Sequence, residues 1–145
     1  MSEGPRLRRI FREYSRLVGA NFRWEGFDEE LRSLPLPYLP PRGALLVAER
    51  SGRILGMVAL RPWSGRSCEM KRLYVRPRYQ GYGLGRALIL AILREARTLG
   101  YTRMRLDTLY WMRAARKLYG ALGFHSIPPY LPSPGAKTYY LERTL

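Results

Sequence analysis

Apolar residues recur at helical spacing from Arg6 to Val18, where Leu7, Ile10, Phe11, Tyr14, Leu17 and Val18 share a face and Gly19 offers a stop. A second, shorter helix is predicted from Phe27 to Leu34, with Asp28, Glu29 and Glu30 in its first turn. Those acids suit a helix start, where the macrodipole favours negative charge, or else form an acidic wall of a binding site. Pro35 to Gly43 carries too many prolines for a helix or a central strand and reads as a semi-rigid loop. The pattern then changes to strands. Ala44 to Glu49 and Ile54 to Leu60, joined by the turn Arg50 to Arg53, predict a hairpin; Arg61 to Arg66 is a further turn, and Ser67 to Val75 is a third strand. A helix from Ala87 to Leu99 ends near Gly100, and a strand from Tyr101 to Leu109 alternates Met104, Leu106 and Thr108 against Arg103, Arg105 and Asp107. Met112 to Leu122 is a helix stopped by Gly123, after which Phe124 to Ile127 and Lys137 to Glu142 form a closing pair of strands around a proline-rich turn through Gly135.

Helices, an antiparallel meander, one strand–helix–strand crossover, then a helix and strands give an α+β (mixed α/β) sheet, not an alternating doubly wound fold. At 145 residues, 46% of them apolar, the whole chain is expected to be one domain with a proper core. The start is polar and basic, unlike a secretory leader, and no run approaches the ~18 apolar residues of a spanning helix, so no membrane role is expected. Cys68 is the single cysteine, which excludes an internal disulfide and makes a reducing cytoplasm the expected location. It reads as a small strand residue. The lone histidine, His125, reads as a turn residue, and no His/Cys/Asp/Glu cluster has metal-ligand spacing, so no metal is expected.

Charge adds a second layer. Lys and Arg number 26 against 11 acids, a net +15, but the cations are scattered and, apart from Lys71, Lys117 and Lys137, are all arginine. Such a field favours phosphate-rich partners. Without a helix-turn-helix, zinc-finger or RNA-binding aromatic signature it points to no specific nucleic acid.

The chemistry concentrates at Arg76-Pro-Arg-Tyr-Gln80-Gly-Tyr-Gly-Leu-Gly-Arg86, between the third strand and a helix. Glycines let a ligand approach the backbone, and a helix N-terminus offers unpaired N–H groups and partial positive charge. With Arg76, Arg78 and Arg86 as cations, the stretch reads as a pyrophosphate cradle. A dinucleotide fingerprint is the competing reading, with Asp107 lying 22 residues after Gly85 as the ribose acid. Three features oppose it: Arg86 stands at the third glycine, five residues separate strand and first glycine, and there is a single crossover. A P-loop fails because no Gly-Lys-Ser/Thr follows.

Gln80-Gly-Tyr-Gly-Leu-Gly85 resembles the Gln/Arg-x-x-Gly-x-Gly/Ala signature of the GNAT superfamily of N-acetyltransferases. Leu73-Tyr-Val-Arg-Pro77 resembles the family's strand-to-loop segment, and Ala115 to Phe124 its Ala-x-x-x-Tyr-x-x-x-Gly-Phe cofactor motif. The resemblance covers Ala44 to Leu145 well and Phe27 onward fairly. It implies a mostly antiparallel twisted sheet with a splayed parallel pair and about four flanking helices, and acetyl-CoA as co-substrate. Cofactor contacts would come from Leu73, Tyr74 and Val75 beside the pantetheine arm and from Gln80, Gly81, Tyr82, Gly83, Leu84, Gly85 and Arg86 around the pyrophosphate. Glu69 would serve as base, Tyr119 as acid to the leaving thiolate, and Val75 N–H as the donor to the carbonyl oxygen. The residues also admit plainer roles: Glu69 in an ion pair with Lys71 or Arg72 on a solvated face, and Tyr119 as an aromatic on the stripe of Ala115, Leu118 and Leu122.

Two departures stand out. Met1 to Pro5 leave almost no room for the family's first strand, and Met112 stands where the family often has asparagine. The expected activity is transfer of an acetyl group to a primary amine, on a small molecule or a peptide. A non-catalytic module that senses acyl-CoA is the alternative, and a homodimer is left open. Acceptor choice falls to the first helices, the proline loop and the turn from Ile127 to Gly135, with Tyr38, Trp111 and Tyr130 as aromatic candidates that read equally as core or loop packing. The positive field favours a neutral or anionic amine over polyamines and basic tails.

Overall fold

The computed structural model describes residues 4–18, 27–131 and 137–145; Gly19 and Gly135, and the side chain of Asp28, lie outside the described residues. Helices α1 (Gly4–Val18) and α2 (Phe27–Ser33) are followed by β1 (Ala44–Arg50), β2 (Arg53–Ser64), β3 (Ser67–Val75), α3 (Leu84–Thr98), β4 (Arg103–Leu109), α4 (Arg113–Ala121), β5 (His125–Ser126) and β6 (Thr138–Thr144). The six strands form one sheet in the order β1-β2-β3-β4-β6-β5, antiparallel except where β3 and β4 run parallel. This is the expected mixed sheet with one parallel pair and four helices. Among the described residues no strand precedes α1.

Each sheet face buries an apolar layer. Val58, Leu60, Met70, Met104 and Leu106 pack on Leu88, Ile89, Ile92 and Leu93 of α3 and on Tyr119 of α4. Met57, Ala59 and Tyr74 pack on Leu7, Ile10 and Phe11 of α1 and on Tyr38. Because β2 is covered on both faces, Ile54 to Leu60 reads as a continuous apolar run. Tyr38, a candidate for the acceptor wall, belongs to this core, with its side chain 1% exposed.

The expected turn from Arg61 to Arg66 is wrong in one important respect. β2 continues to Ser64 and pairs Arg61 with Glu69 and Pro62 with Cys68. Pro62 is tolerated because β1 ends its pairing at Ala44 opposite Leu60, which leaves that stretch of β2 with a strand on one side only. The extension sets Arg61 beside Glu69 and brings Trp63 to the same end of the sheet.

β3 carries the decisive irregularity. Between the pairs Ala59–Lys71 and Met57–Tyr74, β3 spends one residue more than β2, and Arg72 takes a left-handed φ of 61°. A non-glycine residue there costs about 1–2 kcal/mol. It is held by a buried bidentate pair: Arg72 donates from Nε to Glu30 Oε2 at 2.9 Å and from Nη2 to Glu30 Oε1 at 2.8 Å, while the Tyr38 hydroxyl donates to Oε2 at 2.6 Å. Glu30 therefore acts neither as a helix-start charge nor as an acidic wall. Burial works to raise its pKa, but the Arg72 hydrogen bond and charge, with the Tyr38 hydroxyl, hold it below the ordinary carboxylate range.

Removing either partner strands a buried charge. Glu30→Ala or Arg72→Ala is expected to lower unfolding free energy by about 3–5 kcal/mol in a denaturant titration. Because the folded-state pKa of Glu30 is lowered, its contribution is present in full above about pH 4.3 and is lost as pH falls through the folded value. Glu30→Gln should accordingly flatten the acid limb of stability against pH.

Candidate functional site

The bulge turns β3 away from β4. Their parallel pairing consists of Ser67–Arg103, Cys68–Met104 and Glu69–Arg105, and stops there. β4 continues alongside β6 to the pair Leu109–Thr138, whereas β3 continues alongside β2 to the pair of Val75 with Gly56. A fork thus opens beyond Glu69, between Lys71–Val75 on one arm and Asp107–Leu109 on the other. Strand amides alternate sides, and the N–H of Arg76 donates to Leu55 O on β2 at 2.9 Å. The N–H and C=O of Val75 therefore point the other way, into the fork. The edge suits an extended, amide-bearing arm that adds like a strand.

The glycine loop closes the wide end of the fork. Gly81 and Gly83 both have φ of 86°, and a Cβ on either would meet nothing within 4 Å, so the loop presents bare backbone to open space. α3 begins earlier than its apolar pattern suggests, because Gly83 caps it in the left-handed conformation. The first intrahelical bond runs from Ala87 N–H to Gly83 O at 3.0 Å. The N–H groups of Leu84, Gly85 and Arg86 precede it and project from the helix end, which fits an anionic diphosphate. Tyr82 and Arg86 are exposed beside them.

Other parts of the cradle do different work. A Cβ on Gly85 would lie 3.3 Å from Leu118 Cδ2, so this glycine lets α3 approach α4. The Gln80 side chain donates to Val75 O at 2.9 Å, tying the loop to the strand end. Arg76 is not a phosphate ligand in this arrangement: it grips Glu13 of α1 twice at 2.9 Å and donates to Ile54 O at 2.7 Å. Arg78 is exposed on a short 3-10 turn, Pro77–Tyr79.

Glu69 sits at the vertex of the fork, with 0% of its side chain exposed. It accepts from Arg61 Nε at 3.0 Å and from the Tyr130 hydroxyl at 3.0 Å, with Lys71 Nζ 3.7 Å away. The expected solvated ion pair with Lys71 or Arg72 is thus replaced by a buried cluster, and Arg72 is committed to Glu30. Tyr130 lies 4.9 Å from the Trp63 ring and 5.2 Å from that of Tyr140, with the Arg105 guanidinium 4.8 Å from its own centroid. Burial, then the charges of Glu69 and Asp107, push its phenol above the ordinary range. Arg61, Trp63 and Arg105 were not singled out from the sequence. The alternation along β4 placed Arg105 and Asp107 on one face, but nothing local gave their register against Glu69.

Tyr119 projects from α4 into the core, with its ring 5.8 Å from Phe124. Burial, then the neighbouring Tyr14 phenol and Asp107 carboxylate, hold its phenol above the ordinary range. Met112 is the N-cap of α4 and offers no side-chain cap; its sulfur accepts from Thr108 Oγ1 at 3.6 Å. Trp111 is 40% exposed. Cys68 is buried, and burial pushes its thiol up to about 12, which leaves it inert. Among the described residues there is no group of acids, His and Cys arranged to hold a metal, and no helix long and apolar enough to cross a membrane.

Known proteins share this architecture. The chain is 38% identical over 135 residues to an N-acetyltransferase of Schizosaccharomyces pombe, an alignment covering 92% of this chain and 83% of that one. An acetyltransferase from Streptococcus agalactiae superposes with a TM-score of 0.83 at 18% identity, over 100% of this chain and 95% of its own. The yncA acetyltransferase of Salmonella typhimurium, solved with acetyl-CoA, gives 0.75 at 24% identity over 99% and 90%. The Acetyltransferase (GNAT) family model matches residues 6–124, through α1, the fork, the glycine loop and α4, and the chain belongs to that family.

Proposed function

We propose that the chain moves an acetyl group from acetyl-CoA to a primary amine by direct attack within a ternary complex. The observation that carries this reading is the fork itself: a backbone edge for the pantetheine arm, with Val75 N–H aimed inward, running to a bare glycine turn and helix end for the diphosphate. Leu73, Tyr74 and Val75 would line the arm, and the backbone from Gln80 through Gly81, Tyr82, Gly83, Leu84 and Gly85 to Arg86 would hold the phosphates. The Salmonella relative of the same fold binds acetyl-CoA, which supports that assignment.

In this reading the amine nitrogen attacks the thioester carbonyl, and Val75 N–H receives the charge that develops on oxygen. A preorganised donor of that kind is worth about 2.7–4 kcal/mol. Glu69 takes the amine proton at one remove, through water or the Tyr130 hydroxyl that already donates to its Oε2. The carbon–sulfur bond then breaks, and the Tyr119 hydroxyl protonates the departing thiolate. A phenol pushed upward by burial stays protonated through the neutral range, and the same low-polarity surroundings make the thiolate more basic.

Acetyl-CoA consumption across an amine panel, read by mass spectrometry of the acceptors, tests the reaction; tight CoA binding with turnover of no amine would overturn it in favour of a sensing module. Tyr119→Phe keeps the ring against Phe124 and should lower kcat by about 10²-fold or more while leaving the KM for acetyl-CoA within about twofold. An unchanged kcat would reduce Tyr119 to packing. Gly83→Val strains a position at φ 86° and fills the bare cradle, so CoA affinity should fall by at least about tenfold. The strain of about 1–2 kcal/mol should leave the protein folded by calorimetry.

A further inference from the structure

Four carboxylates sit around the fork, and three are firmly held. Glu30 is gripped by Arg72, Glu142 by Arg105 Nη2 at 2.6 Å, and Glu69 by Arg61 and Tyr130. Asp107 is different. It lies on β4 two residues past the last β3–β4 pair, and 28% of its side chain is exposed. Its ion-pair partner among the described residues is Lys71, whose Nζ is 3.4 Å from Asp107 Oδ1 and 3.7 Å from Glu69 Oε2. Both distances exceed the ~2.7–2.9 Å of a good ammonium–carboxylate hydrogen bond. The lysine ammonium is therefore loosely seated between two acids, in a position that bridges the arms of the fork where backbone pairing has ended.

We infer that Asp107 is the carboxylate that meets the acceptor ammonium, and that Lys71 occupies this place until an acceptor arrives. The inference rests on the amine-acetylation reading above and narrows it: the acceptor is a primary alkylamine, charged at neutral pH, not an arylamine. Three features support it. The side chain of Lys71 demonstrates that a primary ammonium on an unbranched alkyl stem fits between the two acids. Asp107 is open to solvent whereas Glu69 is sealed, so an incoming amine reaches Asp107 first. The Asp107 charge also helps to raise the phenol pKa values of Tyr14 of α1, Tyr119 of α4 and Tyr130 before β6, after burial as the main cause. An amine bound there lies one side chain away from Glu69, which can accept its proton, and faces the edge of β3 that carries Val75.

The test uses the full chain, acetyl-CoA and a primary alkylamine found to be turned over by the wild type. Asp107→Asn, isosteric and uncharged, should raise the KM for that amine by at least about tenfold, with the KM for acetyl-CoA within about twofold. Lys71→Met removes the competitor while leaving Asp107 charged, and should lower the KM for the amine. If Asp107 served only to anchor Lys71, the two substitutions would have the same effect, and that result overturns the inference. So does an unchanged amine KM in Asp107→Asn. Should Asp107→Asn fail to fold, the direction of the KM change in Lys71→Met decides alone: a fall supports the inference and a rise overturns it. A wild type that acetylates arylamines only would overturn the inference yet leave the proposed function standing, whereas a wild type that acetylates no amine would remove the proposed function itself.

Discussion

One extra residue in β3 governs the rest of the molecule. The bulge at Arg72 ends the register between β3 and β4, and everything assigned to the site lies on the two arms that then diverge or at their ends. The bulge needs an arginine in a left-handed conformation, which the chain would not adopt for local reasons. It persists because Glu30, from a different part of the fold, meets the guanidinium with both oxygens and is itself fixed by Tyr38. The first third of the chain therefore shapes the fork from a distance. A sheet that paired fully would leave no edge for an amide-bearing ligand.

The same geometry sorts the charges. On β3 the bulge changes the alternation, so that Cys68 and Met70 serve the layer under α3, while Glu69 and Lys71, and then Arg72 and Tyr74, serve the opposite face. Arg105 and Asp107 of β4 join them there. The result is a ring of acids and bases on the side of the sheet away from α3, with the glycine loop at the fork's open end. Within that ring burial divides the labour: Glu69 is a sealed carboxylate with fixed partners, and Asp107 an open one with a loose partner. A net charge of +15 says nothing of this, because the local balance of acids and bases at the fork differs from that of the chain as a whole.

Several elements could be read directly from residue order. Helical spacing gave α1, the alternation of Met104 and Leu106 against Arg105 and Asp107 gave β4, and the spaced glycines gave the loop and the start of a helix. Other readings failed where a distant partner decided. Pro62 looked like a turn residue, yet β2 runs through it because its pairing on the β1 side has ended by then. Arg76 looked like a phosphate ligand, but Glu13, 63 residues away, claims it. Tyr38, a candidate for the acceptor wall that also read as core packing, is core, and Glu30 looked like a helix-start charge and is a buried counter-ion.

Sequence by itself determined the kind of fold and the glycine turn that opens α3, because periodicity and the conformational freedom of glycine are local properties that each segment carries alone. The tertiary structure decided which charged groups face one another: Glu69 with Arg61 and Tyr130, Lys71 with Asp107, Arg72 with Glu30. Those pairings join positions up to 61 residues apart, and they depend on strand register and on one bulge, neither of which any local pattern encodes. The energy of a buried charge depends on what lies within a few ångströms in space, so the chemistry of this site emerges only once the chain has closed upon itself.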